Sequence, residues 1–145
     1  MNTVQYAGFW IRSLASLIDS VLITFIIAPI GYAIYGAEYL GAERSILGFW
    51  DVILHYIFPM IAVITFWVYK SATPGKIILQ LIIVDAATGE KPSIAQFIGR
   101  YFAYIPASLP LFIGIIWVAF DEKKQGWHDK MAKTIVVRYN NTQKL

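Results

Sequence analysis

Arg12 and Asp19 stand seven residues apart in the first apolar segment of this chain. A charge at the centre of a membrane helix costs about 3 kcal/mol, so a pair of them dictates what must surround it. Seven residues is close to two helical turns, which puts both side chains on one helix face, with Ser13, Ser16, Ser20 and Thr24 on or beside it. Lipid cannot hydrogen-bond such a stripe, so the stripe must face protein or a wet cavity. Two readings follow: the charges form a working site, or they lock helices together.

Of the 145 residues, 58% are hydrophobic and 14% charged. A soluble domain carries about 25% charged residues, so the composition is that of a membrane protein. With no cysteine, disulfides, thiolate metal sites and thiol nucleophiles are excluded. The two histidines, His55 and His128, are too few for a histidine metal centre, and no metal or cofactor is implied. For His55, packing or a hydrogen bond to a tyrosine is the expected role. The net charge of +3 comes from basic residues beside apolar segments, where they set membrane orientation, so nucleic acid is set aside as a partner. The chain begins without the basic start of a signal peptide, and the first segment is expected to remain in the mature protein. No nucleophile, histidine and acid stand at recognisable spacing, so no enzyme is expected.

Residues 14–35 would make about 33 Å of helix, enough for one span. Ser16, Ser20, Thr24 and Ala28 recur at every fourth position and form a small-residue ridge that lets another helix approach. The connection that follows carries Glu38, Glu43, Arg44 and Asp51, and Phe49-Trp50 reads as an interfacial anchor. Residues 52–69 read as the second span, with Pro59 expected to bend it. Thr73-Pro74-Gly75-Lys76 reads as a turn, residues 77–85 as a β-strand, and Ser93 as the cap of a helix beginning near Ile94.

Residues 94–120 are apolar but carry Arg100, Pro106 and Pro110. Hydropathy alone gives a third span. Lys70, Lys76, Lys91 and Arg100 lie near the start of this segment, and Lys123, Lys124, Lys130, Lys133 and Arg138 follow its end. Both flanks thus favour the cytoplasmic side, which predicts a proline-broken re-entrant helical hairpin, with a third span as the alternative. Residues 134–139 have strand composition and are expected to pair with Leu79 to Val84. The expected fold class is an all-α membrane protein of one domain: two transmembrane helices, a re-entrant hairpin, a small cytoplasmic β-ribbon, and both termini cytoplasmic.

Gly8-Phe9-Trp10-Ile11-Arg12 with Asp19 downstream, Thr73-Pro74-Gly75-Lys76, Trp127-His128-Asp129 and Thr134-Ile135-Val136-Val137 together resemble the RDD family of small membrane proteins. The resemblance covers nearly the whole chain and implies that Arg12, Asp19 and Asp129 are the naming arginine and aspartates. It also implies a bacterial inner-membrane location. Cation/proton exchange has been proposed for some members of the family, and RDD segments also occur as accessory parts of membrane assemblies.

Chemically, burial raises a carboxyl pKa and a nearby arginine lowers it, so Asp19 would be poised to exchange a proton for a hard cation, with Arg12 as counter-charge. Ser16, Ser20 and Thr24 would supply neutral oxygens, and Asp129 would stand at the cytoplasmic mouth. The competing reading is a permanent Arg12–Asp19 or Arg12–Asp129 salt bridge. The His128-Asp129 pair would relay protons or, as a plainer reading, mark a helix start or surface feature. Lys76, Lys123 and Lys124 are candidates for contact with lipid head groups. The expected partners are the bilayer, Na+, K+ or H+, and either further copies of the chain or a larger membrane-protein complex.

Overall fold

The computed structural model describes residues 5–41 and 48–139. Glu43 and Arg44 of the first connection lie outside the described residues. The first helix, α1, runs Phe9–Tyr35 and passes into a 3-10 turn, Gly36–Tyr39. It starts earlier than the expected residue 14 because Arg12 meets its counter-charge inside the protein, so the helix has no reason to begin beyond the charge. The second helical run comprises α2 (Phe49–Val52), a π-helical turn (Ile53–Ile57) and α3 (Phe58–Lys70). Pro59 stands in the first turn of α3, where a missing N–H costs little, and the irregularity sits in the wide turn before it.

Phe9–Tyr39 and Phe49–Ile78 are each long and apolar enough to cross a membrane. The large side chains of α1 mostly face outward, as Leu17 and Phe25 do, which suits helices with lipid rather than water around them.

The strand expected over residues 77–85 is shorter. Thr73 leads into a one-turn helix, α4 (Pro74–Ile78), and only Leu81–Asp85 forms β1. Proline at the first helical position has φ preset for a helix, and this outweighs the β-branched composition that follows. Gln80, at positive φ, turns the chain into the strand.

β1 pairs antiparallel with β2 (Thr134–Arg138), in a register that sets Ile83 opposite Val136. The N-terminal segment adds to the ribbon: the Ala7 amide donates to Val136 O at 2.9 Å and the Arg138 amide to Gln5 O at 2.9 Å. Leu81, Ile83 and Val136 pack with Ala7, Ala15, Trp67 and Phe97 to form the core, while Ile82, Val84, Ile135 and Val137 cluster on the opposite ribbon face.

Between the strands lie α5 (Ile94–Ser108), α6 (Ile113–Ile116) and α7 (Trp127–Met131). Ser93 caps α5 as expected, in a capping box with Gln96. The segment breaks as expected, at 109–112, which includes Pro110, whereas Pro106 lies inside α5. Leu111 and Phe112 both take left-handed backbone angles, and the helical pair Ile94–Ser108 and Ile113–Ala119 is bent by 116° there. The start of this pair and the segment that follows it are both tied to the ribbon. Gln96 Nε2 donates to Asp85 Oδ2 at 2.6 Å, and Gln125 Nε2 donates to Thr134 O at 2.9 Å.

Candidate functional site

Arg12 and Asp129 come together from opposite ends of the sequence, through the ribbon and α7. Arg12 Nε donates to Ala7 O at 3.0 Å and Nη1 to Asp129 Oδ2 at 2.5 Å. Arg100, on α5, donates from Nη1 to Asp129 Oδ1 and to Thr134 Oγ1. The Gly126 amide completes the set, donating to Asp129 Oδ2 at 2.9 Å from the start of α7. Asp129 is fully buried and Arg100 is 1% exposed. One carboxylate thus ties α1, α5 and α7 together.

Of the two salt bridges open to Arg12, the structure contains the one to Asp129 and not the one to Asp19. The hairpin arginine, Arg100, is the missed partner, read only as an orientation signal. Its position inside an apolar run was the available clue, since it needs a buried anion as much as Arg12 does.

Burial opposes ionisation of Asp129, but the Arg100 and Arg12 charges outweigh it and hold the carboxyl well below the usual carboxylate range. His128 is not a surface residue. It is 2% exposed and stacks on Tyr104 with ring centres 4.0 Å apart. Burial drives its pKa down to about 3, with the Asp129 charge opposing, so the imidazole is neutral.

Asp19 lies elsewhere on α1. Its Oδ2 accepts from Thr73 Oγ1 at 2.5 Å and its Oδ1 from the Gly75 amide at 2.7 Å, so it caps α4 from a neighbouring helix. None of the ion pairs among the described residues includes Asp19. Its carboxylate is half-buried and borders a cavity of about 500 Å³ shared with Ser16, Ser20, Thr73, Lys76 and Tyr101. The hydroxyls of Ser20 and Thr24 bond back to the carbonyls of Ser16 and Ser20, at 2.8 and 2.7 Å. As a result the polar face of α1 is less polar than its composition.

Lys76, on α4, is 6% exposed, with its ammonium 6.0 Å from the Trp67 ring centre. It lines a second cavity, of about 490 Å³, together with Arg12, Arg100 and His128. Lys123 is exposed and Lys124 donates from Nζ to Ala119 O at 3.1 Å; neither borders these cavities. His55 meets Tyr39 Oη at 3.0 Å through Nε2 and Asp51 Oδ1 at 2.8 Å through Nδ1.

The RDD family model matches residues 6–133. The chain is 36% identical to the uncharacterised protein YxaI of Bacillus subtilis, covering 90% of this chain and 96% of that protein. It is 45% identical to the uncharacterised protein RP437 of Rickettsia prowazekii over 52% of this chain and 41% of that one. It therefore spans less than half of the Rickettsia relative. No solved structure matches the chain. The buried Arg12–Asp129 pair, Asp19 on the same helix and the match across most of the sequence agree, and the chain belongs to the RDD family of membrane-type proteins.

Proposed function

We propose that this protein exchanges a small monovalent cation for protons across a membrane, with Asp19 as the carrier. The observation that carries this reading is a half-buried carboxylate, outside every described ion pair, on the wall of a cavity of about 500 Å³. A carboxylate offers about four lone-pair sites; Thr73 and Gly75 use two, which leaves oxygen ligands of the kind hard cations prefer. Proton and cation would compete for the same oxygens. Lys76, on the same wall, takes the counter-charge role first expected of Arg12, because Arg12 is committed to Asp129.

Orientation follows from the ribbon end of the molecule, where the N-terminal segment, the end of the second helical run and the tail converge. Lys70 ends the second helical run, Lys91 lies between β1 and α5, and Lys123, Lys130 and Lys133 lie between the bent pair and β2. All stand in segments that adjoin the ribbon strands, which favours a cytoplasmic ribbon in a bacterial inner membrane. With the start of the bent pair and the segment after it tied to the ribbon, Ile94–Ala119 dips into the membrane and returns. Two spans and a dip make a thin wall, so the pathway would be completed by a second copy.

A second reading, as an accessory subunit of a larger membrane complex, is favoured by a groove of about 430 Å³ on α1, lined by Ser20, Thr24, Ala28 and Pro29. Helices approach closely over such small residues. Proteoliposomes decide between the two. Sodium- or potassium-driven proton movement by the native chain, lost in an equally folded Asp19→Asn variant, is the expected result. No exchange by the native chain with either cation across several pH values would overturn transport and leave the accessory reading.

A further inference from the structure

The cavity shared by Arg12, Lys76 and Arg100 carries an unbalanced charge. These three cations face two carboxylates, Asp129 and Asp19, neither of which lines this cavity. Asp129 is shared between both arginines, and among the described residues Lys76 forms no ion pair or hydrogen bond. Lys76 has Asp19 on the wall of the neighbouring cavity but no anion in direct contact, and three buried cations against two carboxylates leave one positive charge over, so the arrangement favours a further negative group from outside the chain. The arginines have donors to spare: among the described residues Arg12 Nη2 and Arg100 Nε, both buried, have no hydrogen-bond partner. A metal cation would be repelled here.

The rest of the wall states what the anion is attached to. Phe112 and Ile116, from the hairpin tip, border the same cavity and are 59% and 42% exposed. A volume of about 490 Å³ far exceeds a bare phosphate and suits a head group with its glycerol, its acyl chains following the apolar side. We propose that this cavity holds the phosphate head group of an anionic phospholipid, bound by Lys76 with the Arg12 and Arg100 guanidiniums on the same wall. Lys76 borders both cavities, but the assignment does not require Asp19 to carry an ion, and Ser13, which lines this cavity and not the other, allows it to be tested apart from Asp19.

The test is native mass spectrometry of the purified full-length chain in detergent, with phosphatidylglycerol or phosphatidylcholine added. The expected result is one phosphatidylglycerol retained per chain, at least about fivefold more strongly than phosphatidylcholine. Lys76→Gln brings retention to the phosphatidylcholine level, and Lys76→Arg keeps the preference. Ser13→Phe fills the cavity from α1 while leaving every charge in place, and it also loses the preference. These two variants keep the result readable if Lys76→Gln does not fold. Equal retention of both lipids by the native chain overturns the proposal, as does a preference that survives both Lys76→Gln and Ser13→Phe. Displacement of the lipid by millimolar inorganic phosphate overturns the lipid source in favour of a free oxyanion.

Discussion

Asp129 is fully buried and Asp19 half-buried, and the two differ in how much their partners depend on them. Removing the charge of Asp129 strands two buried guanidiniums, and breaking a buried pair in this way costs about 3–5 kcal/mol. Asp19 holds only a hydroxyl and an amide, and asparagine keeps an oxygen for one of them, so its loss costs about 1 kcal/mol. Thermal unfolding in detergent should therefore show Asp129→Asn far less stable than Asp19→Asn, and equal losses would remove Asp129 from its place as the lock. Acid should act through His128 first. Its folded pKa of about 3 lies below the ordinary 6.5, so the unfolded chain takes up a proton that the folded chain refuses. Stability is then full above about pH 6.5 and falls as pH drops toward 3, by up to about 1.4 kcal/mol per unit. Asp129, with its folded pKa depressed, adds a further loss only below about pH 4. His128→Gln should flatten the unfolding profile between pH 6 and 4.5, and an unchanged slope there would exclude His128 as the acid-sensitive group.

At the scale of elements, the seam between α1 and α4 sets the tolerance of the fold. A Cβ on Gly75 would stand 2.1 Å from the Ala15 carbonyl oxygen, a backbone atom that cannot swing away. Gly99, on the exposed side of α5, has nothing within 4 Å of the same position. Gly75→Ala should cost about 3 kcal/mol or more by forcing the two helices apart, whereas Gly99→Ala should gain up to about 1 kcal/mol from helix propensity alone. Paired unfolding measurements check both, and a neutral Gly75→Ala would mean that the seam is looser than the structure has it. The elements differ in how far the sequence revealed them. The long apolar helices, the Ser93 cap and the pairing of residues near 81–85 with 134–138 were legible because each depends on local pattern. The short helix at Pro74 was not, nor was the exact position of the break, which was expected at Pro106 to Pro110 and falls at 109–112. The first depends on Asp19 reaching across to cap it, and the second on two left-handed residues that carry no glycine to announce them. Likewise the ion pair of Arg12 was open between two aspartates until the ribbon brought α7 against α1, which is a property of topology rather than spacing.

For the molecule as a whole, everything turns on which segments share a side. The ribbon gathers the N-terminal segment, the end of the second helical run and the tail, and Gln96 and Gln125 tie the start of the bent pair and the segment after it to the ribbon. If that pair crossed the membrane, the basic residues near 91 and those near 123 would be separated by the bilayer, and the hydrogen bonds from Gln96 to Asp85 and from Gln125 to Thr134 could not both form beside one two-stranded ribbon. The re-entrant arrangement keeps them. Because the chain contains no cysteine, single cysteines can report this directly in sealed membranes with an impermeant thiol reagent. Lys91→Cys and Lys123→Cys should label from the same side, and Glu38→Cys, after the first span, from the opposite one. Labelling of positions 91 and 123 from opposite sides would make residues 94–119 a third span, and it would require the ribbon contacts at one of its ends to be broken in the membrane.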